Sequence, residues 1–312
     1  MTRFSRTRRL LGATALLMST AGLAQALEVH SYASQVNDVD SANSHWFETE
    51  DGVVLIDAQR LLPEAARLVR HIRATSDRDV AMIVVTHAHT DHYGGLPVLR
   101  DAFPDARIVT DETTARSIRE DERGFIAMRN ERHGDRFAPQ AALTEAMRDA
   151  EIVADGETIE IGGETLTFTV LGPSEAESTL MVTVEAADTA FIGDLINVGA
   201  PAVPFESLAN WLDHLDVIET SFDPDDRLYQ GHGPAPVDVA AVAEQRRFLR
   251  TMDDLVRAAM ADCTLTPAEE DEIVFRLERG WPFYQGVAGN TRQEVLGFAA
   301  RRVADQISAL GQ

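Results

Sequence analysis

Residues 80–95 read VAMIVVTHAHTDHYGG, and this stretch decides the fold. It begins with an apolar run, residues 80–85, whose length and composition are typical of a buried β-strand. His87 and His89 follow the run directly. Because side chains two positions apart in an extended segment point the same way, these two imidazoles can bind one metal ion.

The second half of the stretch supplies two more side chains of the kind that bind metals. The chain turns towards Gly94 and Gly95, and this turn lets Asp91 and His92 reach a second ion. Neutral imidazole and carboxylate are both suitable ligands for Zn²⁺. A plain polar turn after a strand is the alternative, but it does not explain four such side chains within six positions. The stretch therefore predicts a metal centre at the carboxyl end of a buried strand.

The amino terminus predicts export. Residues 1–26 combine a basic start, an apolar segment from Leu10 to Leu23 and the cleavage pattern Ala24-Gln25-Ala26, as in a secretory signal peptide. Residues 7–11 (TRRLL) also resemble a twin-arginine signal, with ordinary Sec export and an uncleaved anchor as alternatives. We therefore expect a periplasmic or secreted protein that is not stably inserted in a membrane after the signal is cleaved.

The charge of the chain limits its partners. There are 28 basic and 51 acidic residues, so the formal net charge is −23, and removal of residues 1–26 would leave it near −27. A strongly negative field repels phosphate backbones, so we expect no nucleic-acid partner. Every basic residue is an arginine, so only arginine can bind a substrate carboxylate. The single cysteine, Cys263, excludes an intramolecular disulfide and is expected to be a structural thiol. The oligomeric state is left open.

Hydrophobic periodicity predicts alternating strands and helices along the rest of the chain. Short apolar runs between turn residues predict strands at 45–47, 52–57, 107–110, 180–184, 189–192 and 227–229, and two more around the turn at 161–164. Helical spacing predicts helices at 61–74, 96–103 and 205–220. From Val237 onward the chain is expected to be mostly helical and to pack on the core or on a partner subunit.

The HxHxDH pattern of residues 87–92 resembles the signature of the metallo-β-lactamase-fold hydrolases, whose order of motifs can be followed from Asn43 to Gly233. The resemblance implies an α/β fold, a four-layer αββα sandwich with a helical carboxy-terminal extension. We accordingly divide the chain into a signal peptide (1–26), a catalytic domain (27–240) and the extension (241–312).

The resemblance also implies the remaining metal ligands. Residues 191–195 (FIGDL) resemble the family's strand that ends in Gly-Asp, which places Asp194 between the two ions. Residues 229–234 (YQGHGP) resemble the closing Gly-His-Gly motif, which places His232 on the second ion. Asp57, at the end of a predicted strand, resembles the carboxylate that supports the metal loop from behind the ligands.

One position departs from the family pattern. Most members have a histidine in the loop that corresponds to residues 171–179, and this chain has none there. Alignment by the following strand places Glu175 at the histidine position, with Glu177 as the alternative. A similar glutamate serves as the ligand in the alkylsulfatase branch of the superfamily.

Residues 111–150 are rich in arginine and acidic residues, and we expect helices on the outside of the fold. In the family the equivalent stretch often covers the active-site groove. Phe125, Arg132, His133 and Arg136 are therefore candidate substrate contacts. A solvent-exposed pair of charged helices is the simpler interpretation of the same residues.

The candidate ligands predict two Zn²⁺ ions per chain, with iron or manganese as alternatives; they are His87, His89, Asp91, His92, Glu175, Asp194 and His232. Asp91 is the candidate catalytic residue, because it can orient a metal-bridging hydroxide and later take a proton. The predicted function is an exported metal-dependent hydrolase that cleaves a small-molecule ester, lactone or lactam. An oxidoreductase that binds iron and a non-catalytic binding protein with an altered site are the alternatives.

Overall fold

Two β-sheets packed face to face form the centre of the protein. The structure is a computed structural model that describes residues 27–34, 42–281 and 289–310, so the predicted signal peptide lies outside the described residues. The first sheet contains β1 (His30–Ala33), β2 (Asn43–Thr49), β3 (Gly52–Ile56), β4 (Val80–Val84), β5 (Arg107–Thr110) and β6 (Glu151–Ile152). The second contains β7 (Thr158–Ile161), β8 (Glu164–Leu171), β9 (Thr179–Val184), β10 (Thr189–Gly193) and β11 (Arg227–Gln230).

Helices cover the outer faces of both sheets. In chain order they are α1 (Leu62–Thr75), α2 (Thr90–Tyr93), α3 (Leu96–Ala102), α4 (Glu112–Glu120), α5 (Phe125–His133), α6 (Gln140–Ala146), α7 (Leu208–Ser221), α8 (Ala241–Ala259), α9 (Pro267–Gly280) and α10 (Gly289–Leu310). Among the residues that the structure describes, no helix is long and apolar enough to span a membrane.

Both sheets are mixed, with antiparallel and parallel strand pairs. The first sheet has the order β1-β2-β3-β4-β5-β6, with antiparallel pairs up to β3 and parallel pairs from β3 onward. The second has the order β11-β10-β9-β8-β7, in which only β10 and β11 are parallel among the described pairs. The carboxyl ends of β3, β4, β10 and β11 thereby meet at one edge of the sandwich.

The alternation of side chains along the strands creates the layers. In β3, Val54 and Ile56 pack between the two sheets, while Val53 and Leu55 pack against the helices on the other face. In β10, Phe191 faces the space between the sheets. Successive side chains of a strand point to opposite faces, so a strand that is apolar throughout is buried on both sides. The result is the predicted four-layer αββα sandwich.

The carboxy-terminal helices pack on the second sheet, as expected. Leu249 and Met252 of α8 are buried in the same cluster as Trp211 and Leu215 of α7. The expectation for Cys263 is wrong, because this residue is exposed after α8 and is not packed in the core. Strand β1 was not predicted from the sequence, because no apolar run marks it.

Gly94 and Gly95 let the turn after the metal-binding stretch pack directly on the loop after β3. The Gly95 N–H donates to the Gln59 carbonyl at 2.8 Å. A Cβ at Gly95 would overlap both the carbonyl oxygen of Ala58 and the side chain of Ala65. Only glycine therefore fits at this close approach of two backbones.

We predict that Gly95→Ala destabilises the protein by about 3 kcal/mol or more, because the added methyl group overlaps fixed backbone. Gly172→Ala is the matched control, since no heavy atom lies within 4 Å of the position its Cβ would take. Urea unfolding followed by circular dichroism, with both variants in the same metal-loading state, measures the effect. Equal free energies of unfolding for the two variants would contradict this account of the turn.

Candidate metal centre

Loops at one edge of the sandwich bring the seven predicted ligand side chains together. They follow β4, β8, β10 and β11, and two of them lie on the short helix α2. Possible ligand atoms lie within 4.8 Å of one another inside each of two groups. The first group is His87, His89, Glu175 and Asp194, and the second is Asp91, His92 and His232.

Glu175 lies in the first group, at the position where the resemblance implies a histidine. Its Oε1 is 3.1 Å from His89 Nδ1, and its Oε2 is 3.7 Å from His87 Nε2. The alternative, Glu177, has other partners: it accepts a hydrogen bond from Ser117 and pairs with Arg123 at 2.6 Å. The geometry therefore favours Glu175 as the ligand.

Asp194 contacts both groups. Its Oδ2 is 3.8 Å from His87 Nε2 and 3.1 Å from His232 Nε2, and its Oδ1 is 3.5 Å from His92 Nε2. Gly231 makes this approach possible, because a Cβ there would overlap the Asp194 carboxylate and crowd the His92 ring. A glycine is therefore needed before His232, because any larger residue would collide with these ligand side chains.

Asp57 supports the centre from behind the ligands, where the sequence analysis placed it. Its Oδ2 is 2.8 Å from His92 Nδ1, and its carboxylate accepts hydrogen bonds from the N–H and hydroxyl of Thr86, each at 2.9 Å. Because the Thr86 hydroxyl donates to Asp57, its oxygen is left to accept from His87 Nδ1, 2.9 Å away. When either imidazole is neutral, these bonds therefore keep its proton on Nδ1 and leave an Nε2 lone pair directed into the centre.

Several buried atoms in the centre have no hydrogen-bond partner among the described residues. Among them are His87 Nε2, His92 Nε2, Glu175 Oε2 and Asp194 Oδ1. Buried polar atoms without partners are rare in folded proteins and call for an ion or water. Imidazole nitrogens and carboxylate oxygens are ligand types that suit Zn²⁺, so the residues present fit a divalent metal.

The pKa values of these groups reflect the crowding of opposite charges. Burial alone would lower the pKa of His92, but the carboxylates of Asp194, Asp57 and Asp91 outweigh it and hold this pKa well above its ordinary value. Burial would likewise raise the pKa of Asp91, yet Arg60 and the neighbouring histidines keep it well below its usual range. A bound cation would take the place of the protons that these imidazoles otherwise hold.

Arg60 is a functional residue that sequence reasoning missed. Its Nη2 is 2.8 Å from Asp91 Oδ1, and its Nε donates to the Thr90 hydroxyl at 3.1 Å. Its side chain is only 5% exposed. The other oxygen, Asp91 Oδ2, is thereby left facing His232 Nε2 at 3.2 Å. Arg60 lies three residues after Asp57, and that position in the loop was the only signal in the sequence.

A cavity of about 440 Å³, here called the metal cavity, opens beside these ligands. Its apolar wall includes Phe125, Met128, Val203, Phe205 and Phe298. The Phe205 ring lies 4.6 Å from the His89 ring between centroids, so the apolar wall reaches the metal ligands themselves.

Two of the four candidate substrate contacts line the metal cavity. Phe125 and Arg132 are in its wall, whereas His133 and Arg136 are not among its lining residues. Helix α10 adds a surface that the sequence did not indicate, because Glu294 and Phe298 also line this cavity. The carboxy-terminal extension therefore forms part of the site.

Comparison with known proteins places this geometry in a family. The model of the metallo-beta-lactamase superfamily matches residues 37–256. An atrochrysone carboxyl ACP thioesterase from Aspergillus novofumigatus is 21% identical over 174 residues, which are 56% of this chain and 44% of the relative. The chain thus spans less than half the length of this curated relative.

Solved structures share the fold at low sequence identity. A metallo-beta-lactamase family protein from Thermus thermophilus superposes with a TM-score of 0.63 at 20% identity, over 91% of this chain and 94% of that one. The inverting sec-alkylsulfatase from Pseudomonas sp. gives a TM-score of 0.60 at 19% identity, over 88% of this chain and 48% of that one.

We predict that Glu175→Gln lowers the metal content from about two ions per chain to about one, because the amide is a poor substitute for a carboxylate ligand. Glu177→Gln is the matched control and should retain both ions. Elemental analysis after dialysis against metal-free buffer measures the content, and circular dichroism checks the fold. If Glu175→Gln still binds two ions, Glu175 is not a metal ligand.

Proposed function

Because the chain belongs to the metallo-beta-lactamase superfamily, we propose that it is a metal-dependent hydrolase of small-molecule carboxylic esters or lactones. The observation that carries the proposal is the pair of ligand groups at the wall of the metal cavity. Four buried atoms of these groups, His87 Nε2, His92 Nε2, Glu175 Oε2 and Asp194 Oδ1, have no hydrogen-bond partner among the described residues, so the centre suits cations.

The proposed roles follow from the positions of the side chains. His87, His89 and Glu175 would hold one ion, and Asp91, His92 and His232 would hold the other, with Asp194 between them. When bound, two divalent ions supply a water that ionises near neutral pH and polarise a substrate carbonyl.

The surrounding residues prepare the centre for this chemistry. Asp57 keeps the proton of His92 on Nδ1, so that Nε2 stays available as a ligand atom. Arg60 holds one oxygen of Asp91 and keeps this carboxylate ionised. The second oxygen of Asp91 can accept a hydrogen bond from the attacking water and orient it towards the substrate.

The metal cavity favours an acyl compound with an apolar part. Its volume of about 440 Å³ suits a small molecule, and Phe125, Phe205 and Phe298 provide contact for hydrocarbon. The net charge of −23 disfavours polyanions near the site. Neutral or weakly charged esters and lactones agree with both properties better than phosphodiesters do.

We predict about two divalent ions per chain and the highest kcat/KM for a carboxylic ester or a lactone. One preparation should be assayed with an ester, a lactone, a thioester, a β-lactam, a sulfate ester and a phosphodiester, because the relatives' names state thioester and sulfate-ester substrates. Chelation should abolish the activity, and added Zn²⁺ should restore it.

Three outcomes would overturn the proposal. A phosphodiester as the best substrate would contradict the charge argument. Iron as the native metal, together with no hydrolysis of any member of the set, would favour the oxidoreductase instead. Bound metal with neither hydrolysis nor redox activity would favour a binding protein.

Export to the periplasm or the medium is a further part of the proposal. It rests on the basic start, the apolar segment and the Ala24-Gln25-Ala26 pattern. Amino-terminal sequencing of the exported protein should give Leu27 or a near neighbour as the first residue. Replacing Arg8 and Arg9 by lysine should block export if the twin-arginine route is used, and Met1 on the exported protein would exclude cleavage.

A further inference from the structure

A second cavity lies next to the metal cavity and takes no part in the chemistry described above. It has a volume of about 690 Å³ and is here called the arginine cavity. Arg123, Arg301 and Arg302 line it together with apolar side chains such as Met260 and Leu265. A cavity of this size can hold a substantial part of a small molecule.

Three phenylalanines connect the two cavities. Phe125, Phe205 and Phe298 line both of them. The ring centroids of Phe125 and Phe205 are 6.2 Å apart, and those of Phe205 and Phe298 are 5.4 Å apart. Since Phe205 also touches the His89 ring, the apolar surface is continuous from the metal ligands to the arginine cavity.

The charge of the arginine cavity is unusual for this chain. Three arginines and one acid, Asp305, are among its lining residues, whereas acidic residues outnumber basic ones almost two to one in the whole sequence. Guanidinium groups in the wall of a cavity can donate hydrogen bonds to an anion if their ion pairs leave N–H groups available.

The existing ion pairs leave donors for a ligand. Arg301 pairs through one nitrogen with Glu270. Arg302 donates to the Phe205 carbonyl and lies 3.5 Å from Asp305, whose side chain is 70% exposed. A guanidinium has five N–H donors, and the contacts of Arg301 and Arg302 occupy only part of them. By contrast, two carboxylates, Glu177 and Glu206, already offset the charge of Arg123.

We propose that the arginine cavity binds a carboxylate at the far end of an elongated ester, while the ester group lies at the metal centre. The hydrocarbon between the two groups would cross the three phenylalanines. The proposal rests on the proposed function and specifies its substrate class: an ester with an apolar spacer and one terminal negative charge. A single charge meets Arg301 and Arg302 without the repulsion that a polyanion would experience from the acidic surface.

The test compares two esters that differ only in the terminal charge. One is the mono-nitrophenyl ester of sebacic acid, with a terminal carboxylate, and the other is the same compound with that carboxylate methylated. We expect the wild-type protein to show a higher kcat/KM for the charged ester. Arg301→Gln should reduce this preference about fivefold, as expected for a partly exposed charge-assisted hydrogen bond, and Arg301→Lys should retain more of it.

Two further variants keep the test decisive. Arg276→Gln is the matched control, because Arg276 is an exposed α9 arginine that lines neither cavity. Arg302→Gln provides a second removal of charge, with circular dichroism to verify the fold, since Arg302 also binds the Phe205 backbone. No preference for the charged ester, or a preference unchanged in both Gln variants, would overturn the inference.

A binding measurement distinguishes failure of the hydrolase proposal from failure of the inference about the arginine cavity. The monomethyl ester of sebacic acid can be titrated into the wild-type protein and the Arg301→Gln variant by calorimetry, which needs no turnover. Absence of hydrolysis with weaker binding by the variant would overturn the hydrolase proposal and support the arginine cavity. Hydrolysis of both nitrophenyl esters, together with equal binding of the monomethyl ester by the two proteins, would support the hydrolase proposal and overturn the inference about the arginine cavity.

Discussion

The buried carboxylate of Asp57 is the interaction on which the metal centre depends. It accepts hydrogen bonds from the backbone and hydroxyl of Thr86 and from His92. These bonds fix the second residue after β4 relative to the end of β3, and they favour Nδ1 as the protonated nitrogen of two imidazoles. Asp57 itself adopts a left-handed backbone conformation with φ of 63°, which aspartate tolerates better than most residues.

A second constraint is electrostatic. Asp57, Asp91, Glu175 and Asp194 are all buried at this edge, and Arg60 is the one arginine that pairs with them there in the described ion pairs. Buried carboxylates are costly unless they are paired or bind cations. Protonated histidines or divalent ions can supply the missing positive charge, and neutral histidines with lone pairs suit the ions. The arrangement that makes the edge unfavourable without cations therefore makes it a good metal site.

The sandwich places rigid elements around a site built from loops. Ligands from strands of both sheets meet because parallel neighbours end at the same edge, while α5 and α10 supply the walls beside them. The ligands depend on backbone that is fixed by hydrogen bonds, whereas the cavity walls depend on side chains of outer helices. Such a division lets the metal chemistry stay constant while substrate preference changes with the helices.

The sequence by itself determined the elements and the chemistry close to them in the chain. Short apolar runs between turn residues predicted most strands, and the spacing of His87, His89, Asp91 and His92 indicated the metal centre, because local conformation decides how neighbouring side chains point. Alignment by the following strand placed Glu175 before Glu177, but the physical reason came only from the tertiary structure, in which Ser117 and Arg123, far away in sequence, bind Glu177. The tertiary structure likewise decided two other features of the site. They are the ion pair between Arg60 and Asp91 and the wall formed by Phe205 and Phe298. These are contacts between residues far apart in sequence, and no local periodicity encodes which partners the packing of layers will bring together.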